Sequence, residues 1–178
     1  MKFLTICAFT VVLTIAALGA ACSDDGGGKT LTLDEYFQQL DAIQNENDAT
    51  FATQEASAEE PAEDASGEEL AAFLRDSVTE SADTLRDTGS KGGDLEPPDE
   101  VADAHDDIVA AINTAADALD AAADDVPDTL TIEELADGTF FDDEALNAAF
   151  DGITTACNAL EAIATENNIT VDLACDEG

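Results

Sequence analysis

The stretch VADAHDDIVAAINTAADALDAAADDV, residues 101–126, decides the fold. Val101, His105, Ile108, Ile112, Ala115, Leu119, Ala122 and Val126 follow one another at alternating spacings of four and three. Residues so spaced share one face of a helix, and an unbroken run of them is the seam of a helix packed nearly parallel to its neighbours. Pro98 suits a first helical turn and Pro127 cannot extend the helix. The spacing therefore predicts a helix over 98–126, about 43 Å long.

Outward from this element the chain reads as further helices with marked starts. Thr32 and Glu35 form a capping box, opening a stretch with Leu33, Tyr36, Phe37, Leu40 and Ile43 on one side. Its periodicity weakens at Asn45 to Asn47, with Phe51 as one more anchor. Residues 54–67 are acidic, small and apolar-poor, which predicts a frayed helix end or a loop. Ser66 and Glu69 form a second capping box, before Leu70, Phe73, Leu74, Val78 and Leu85 and a stop expected near Gly89. Thr131 and Glu134 form a third, opening a short segment closed by Gly138, after which Phe140 and Phe141 are expected to plug the bundle end. A last long helix is expected over about 142–167, burying Leu146, Phe150, Ile153, Cys157, Leu160 and Ile163, with Asn168 as a left-handed C-cap. Residues 169–173 alternate and should lie extended across the bundle.

Four long helices and no convincing strand pair predict an all-α fold: an antiparallel four-helix bundle whose extended C-terminal tail is stapled by a disulfide. Many seam positions are alanine, so the helices can approach closely but bury little apolar area per residue.

The four cysteines divide by position. The apolar run from Phe3 to Leu18, followed by Leu18-Gly19-Ala20-Ala21-Cys22, reads as a bacterial lipoprotein signal over 1–21. Cys7 would leave with that leader and Cys22 would become the lipidated N-terminus. The leucine lies four places before the cysteine, and an uncleaved anchor or a plain secretory signal remain the alternatives. Residues 22–30 then read as a flexible acidic and glycine-rich tether, and residues 31–178 as one bundle domain. This places the chain outside the cytoplasm, attached by its lipid to the cell envelope, with the membrane as a partner through that lipid. Cys157 and Cys175 remain, and an exported compartment favours a bridge between them.

Charge limits the partners. The chain has 42 acidic residues against 5 basic, a formal net charge of −37. Such a surface repels nucleic acid and anionic lipid headgroups. Salt adaptation, capture of cations or basic peptides, and partial disorder are the three readings of this acidity. The regular apolar periodicity opposes the last.

Chemistry-bearing motifs are few. Gly28-Lys29-Thr30 resembles the end of a phosphate-binding loop, but Ser23 stands where the leading glycine belongs, and no strand precedes it. His105 is the sole histidine and lies on an apolar seam. It reads as a core histidine bonded to a facing backbone or hydroxyl group, or as the one candidate metal ligand, and no metal is assigned. The Glu-x-x-His pairs of a carboxylate-bridged metal centre, haem-attachment spacing and an EF-hand ladder are all missing. One histidine and no Gly-x-Ser-x-Gly elbow leave nucleophilic catalysis unsupported, so neither an enzyme nor a cofactor is expected.

Pro97-Pro98-Asp99-Glu100-Val101-Ala102-Asp103-Ala104-His105, Ala156-Cys157-Asn158-Ala159-Leu160 and Val171-Asp172-Leu173-Ala174-Cys175, together with the signal and spacer, resemble a group of acidic bacterial lipoproteins with no assigned activity. The resemblance spans most of residues 22–175. It implies a helical, exported, lipid-anchored domain and carries over no functional residues. The function expected is a non-enzymatic binding or envelope-structural role, its protein partner unspecified. The alternative is a small-ligand or cation-binding module using His105 and acidic residues.

Overall fold

The computed structural model describes residues 30–58, 61–62, 64–137, 143–171 and 173–175. The leader, Cys22, most of the tether, Gly138, Phe140 and Phe141 lie outside the described residues. The described chain is all-helical and contains no strand: α1 (Leu33–Ser57), α2 (Gly67–Gly93), α3 (Ala102–Asp125), the short α4 (Ile132–Asp137) and α5 (Glu144–Glu166).

The helix starts follow from local hydrogen bonding. At α1, the Glu35 amide donates to Thr32 Oγ1 and the Thr32 amide to Glu35 Oε2, at 3.3 and 2.9 Å. The same reciprocal pair forms at Ser66 and Glu69 of α2 and at Thr131 and Glu134 of α4. Each pair satisfies two amides that a helix start otherwise leaves unbonded. The backbone amides of Ser66 and Thr131 hold the Glu69 and Glu134 carboxyls below their ordinary pKa, with the hydroxyls adding to the effect. Asp143 caps α5, accepting from Ala145 and Leu146. At the far end of α5, Asn168 has φ 58°, and the amides of Asn168 and Ile169 donate to the carbonyls of Thr165 and Ala164. This is the left-handed C-cap the sequence predicts.

The long helices run antiparallel, α2 along α3, α3 along α5 and α1 along α2. The Leu31 amide reaches Glu96 between α2 and α3, and the Leu130 amide reaches Gly67 at the start of α2. One core cluster, containing Leu74, Val78, Ala115, Leu119 and Leu146, occupies the end where α2 and α5 begin. A second, containing Tyr36, Phe37, Val101, Ile108, Leu160 and Leu173, occupies the end where α1 and α3 begin. The tail folds onto this second cluster. Cys157 and Cys175 are disulfide-bonded with Cα atoms 5.5 Å apart, and the Leu173 amide donates to Glu161 Oε1 at 3.0 Å.

Several boundaries differ from the sequence reading. α2 passes through Gly89 to Gly93. A Cβ on Gly89 would lie 2.8 Å from Asn113 Oδ1 of α3, so this glycine permits close helix approach and does not terminate α2. α3 starts at Ala102, four residues after Pro98, because residues 98–101 form a turn in which the Val101 amide donates to the Pro98 carbonyl. At 24 residues α3 is about 36 Å long. α1 continues past Asn47 to Ser57 despite its fading periodicity. Polar bonds to α2 replace the missing apolar face: Thr88 Oγ1 donates to Asn47 Oδ1, Gln54 Nε2 donates to Thr84 Oγ1, and Lys91 pairs with Glu46. Phe150, expected in the core, is 37 % exposed.

Candidate functional site

The helix contacts close three sides of the bundle; on the fourth, between α1 and α5, lies a groove of ≈ 720 Å³. α1 lines it with residues between Leu40 and Phe51, and α5 with residues between Asn147 and Leu160. Leu85 and Gly92 of α2 and Ile108 and Ile112 of α3 also face it, and Leu173, Ala174 and Cys175 of the tail contribute at the His105 end. The opening has a local cause. The α1 side chains bonded to α2, Glu46, Asn47 and Gln54, are polar and hold α1 by an ion pair and two hydrogen bonds. Ile43 and Leu40 are left half-buried, without an α5 partner tight enough to cover them. Ile112 and Ile153 are likewise half-buried, although they occupy seam positions.

His105 lines this groove from the first turns of α3 and is 5 % exposed. Its Nδ1 lies 3.2 Å from the hydroxyl of Tyr36, on α1, and the two rings meet edge to face with centroids 5.7 Å apart. The partner is thus a facing hydroxyl near a helix entrance, the arrangement of a core histidine. Burial lowers the His105 pKa below its ordinary value, opposed by the nearby Asp106 carboxylate. Burial raises that of the Tyr36 phenol. At neutral pH the pair is therefore an uncharged imidazole and an uncharged phenol.

Asp103, Asp106 and Asp107, on the same helix as His105, are exposed. Among the described residues no three His, Cys, Asp or Glu side chains converge as a metal site requires. Asp124 and Asp125 are exposed at the end of α3, and Asp143 holds the α5 cap. None of the described lysine and arginine side chains lines the groove, and each is engaged elsewhere. Arg75 donates to the Val126 carbonyl, Arg86 pairs with Asp83, Asp117 and Asp120, and Lys91 pairs with Asp87 and Glu46.

The groove's walls are mixed in character. Leu40, Ile43, Phe51, Ile108, Ile112 and Ile153 give it an apolar interior, while Gln44, Asn47, Asp48, Asn147, Asp151 and Thr154 supply polar groups. Small-ligand sites span about 300–1,000 Å³ and combine an apolar lining with a few polar groups. The groove falls within that range. A second depression, of ≈ 390 Å³, lies against Pro61, Ala65 and Phe73. Its Glu69 is committed to the Ser66 cap, and it brings together no comparable apolar lining.

The groove was not evident from periodicity, which shows that a face is apolar but not which neighbour leaves it uncovered. Its one advance signal is the fading apolar pattern of α1 after Ile43. No helix among the described residues is long and apolar enough to cross a membrane. Comparison with protein-family models, curated proteins and solved structures finds no match.

Proposed function

We propose that this chain is a lipid-anchored, extracytoplasmic binding protein without catalytic activity, and that the α1–α5 groove receives a small, largely apolar ligand. The observation that carries the reading is the groove itself: ≈ 720 Å³ lined by aliphatic and aromatic side chains from four helices. Apolar surface left half-covered in a chain with so thin a core is a standing source of binding free energy, about 25 cal/mol per Å² removed from water. His105 and Tyr36 at one end provide neutral hydrogen-bonding groups that can orient a ligand. The location rests on the Leu18 to Cys22 signal and the resemblance to acidic lipoproteins.

Two measurements test this. Mass spectrometry of the mature chain should give Cys22 as the first residue, bearing a diacylglyceryl group; an unmodified Ser23 or a retained leader would refute the anchor. Calorimetric titration of the full chain in phosphatidylcholine nanodiscs, against empty nanodiscs, should show saturable binding of 1-octanol. An Ile112→Trp variant, which fills the groove, should lose that binding while melting close to the parent. Absence of saturable binding, or equal binding by the variant, would refute the groove as the site.

A further inference from the structure

Taking the groove as the binding site, we infer that its ligand is a neutral amphiphile headed by a carbonyl oxygen, which accepts a hydrogen bond from Nε2 of His105. One imidazole nitrogen is already engaged: Nδ1 lies 3.2 Å from the Tyr36 hydroxyl. The direction of that bond follows from burial. Tyr36 is fully covered, and among the described residues Nδ1 is the one partner of its hydroxyl. Were Nδ1 the donor, the phenolic hydrogen would be buried without an acceptor, a cost the opposite direction avoids. The hydroxyl therefore donates to Nδ1, and the neutral imidazole carries its own proton on Nε2. Among the described residues that N–H has no partner, since the bond to Tyr36 is the only one His105 makes through its ring. Yet no fully enclosed side-chain nitrogen or oxygen lacks a partner. Nε2 thus keeps contact with open space although the residue is only 5 % exposed, and the open space that His105 borders is the groove.

A single oriented donor in a largely apolar end selects the head group. Ile108, Cys157, Leu160 and Leu173 belong both to the core cluster around Tyr36 and to the groove lining. A group that only donates, such as an ammonium, leaves the Nε2–H bond unmade. A carboxylate or phosphate accepts it, but among the described residues no lysine or arginine lines the groove, and burial disfavours the protonated imidazole. The formal net charge of −37 opposes an anion further. A hydroxyl accepts too, but brings a hydrogen that needs an acceptor of its own among aliphatic side chains and a disulfide. A carbonyl needs one donor and meets one. Its hydrocarbon body offers cover to the half-buried Ile43, Ile112 and Ile153 that line the groove.

The experiment begins with nitrogen–proton NMR of the full chain, isotope-labelled at its single histidine, in phosphatidylcholine nanodiscs at neutral pH. The free protein should carry the ring proton on Nε2. 2-Heptanone should move that proton's signal downfield, and 1-chloroheptane, of the same chain length without a carbonyl, should not. Calorimetry against empty nanodiscs then compares the two compounds on the parent and on a Y36F/H105F double variant. Replacing both partners together orphans no buried polar group, so the variant should keep the fold. In it the ratio of ketone to chloroalkane affinity should fall about fivefold, the scale of one hydrogen bond. A ring proton on Nδ1 in the free protein, or an unchanged affinity ratio, would overturn the inference while leaving the groove reading intact. If the variant unfolds, the Nε2–H signal of the parent decides, and an equal response to both compounds would overturn the inference. Binding of neither compound would remove the groove reading as well.

Discussion

The hydroxyl of Tyr36 lies 3.2 Å from Nδ1 of His105, so the first turns of α1 and α3 are joined by one buried polar contact. Tyr36 is among the least exposed side chains of the protein and His105 is nearly as covered. Two polar groups in an apolar cluster satisfy each other there, and among the described residues no fully buried side-chain nitrogen or oxygen lacks a partner.

His105 should titrate below the ordinary histidine value of about 6.5, and its ring signals in proton NMR are unambiguous because the chain has a single histidine. A folded-state pKa below the unfolded one means that the unfolded chain binds the extra proton. This contribution to stability is therefore full above the unfolded pKa and is lost as pH falls through the folded one. Tyr36→Phe should destabilise the fold by about 1–2 kcal/mol in urea denaturation, because it leaves the imidazole short of a buried partner.

The disulfide closes a separation of 18 residues, which in the chain-entropy model corresponds to about 3 kcal/mol. A Cys157→Ser/Cys175→Ser double variant should lose roughly that much in urea denaturation. Limited proteolysis should then cut first between Ile169 and Cys175, the segment that the bond and the Leu173–Glu161 contact hold down.

Two glycines on α2 should respond differently to the same substitution. A Cβ at Gly67 would lie 2.8 Å from the backbone carbonyl oxygen of Leu130, which is itself tied to Gly67 through the Leu130 amide. Gly67→Ala should therefore lower stability by about 1–3 kcal/mol, the range for forced overpacking. At Gly89 the obstruction is the end of the exposed Asn113 side chain, which can rotate away. Gly89→Ala should be close to neutral, the gain in helix propensity of up to about 1 kcal/mol offsetting the lost Asn113 contact with Val109. Thermal melts of the two variants check both.

Arg86 ties α2 to α3 through charge. It reaches Asp83 on its own helix and Asp117 and Asp120 on α3, the last at 2.6 Å. Those bonds raise the guanidinium pKa, the Asp120 hydrogen bond most. Arg86→Gln should lower the melting midpoint in dilute buffer by leaving three carboxylates facing one another. Molar NaCl, where the Debye length is about 3 Å, should raise the midpoint of both proteins and close the gap between them. A gap that persists in molar salt would assign Arg86 a packing role.

Much of the fold was legible because its signals are local. The pairs Thr32–Glu35, Ser66–Glu69 and Thr131–Glu134 mark helix starts within four residues, and Asn168 marks a helix end by its own backbone preference. The α3 seam needs only a count of spacings. What escaped depends on a neighbour. Gly89 reads as a terminator until Asn113 is beside it, and the polar residues of α1 after Ile43 read as fraying until Thr84, Thr88 and Lys91 are opposite them. Phe150 reads as core by its spacing, yet α1 is not close enough to cover it. The candidate site is legible only to this degree: His105 stands out on its apolar seam, while the groove beside it does not, because it is set by the gap between two helices remote in sequence.

Leu173, Ala174 and Cys175 line the groove, and they follow the last helix in the chain. One end of the cavity is thus walled by a non-helical segment, and the Cys157–Cys175 bond fixes it there. The state of two thiols therefore bears on the shape of the cavity, since reducing them frees that wall from the only covalent bond that holds it against α5.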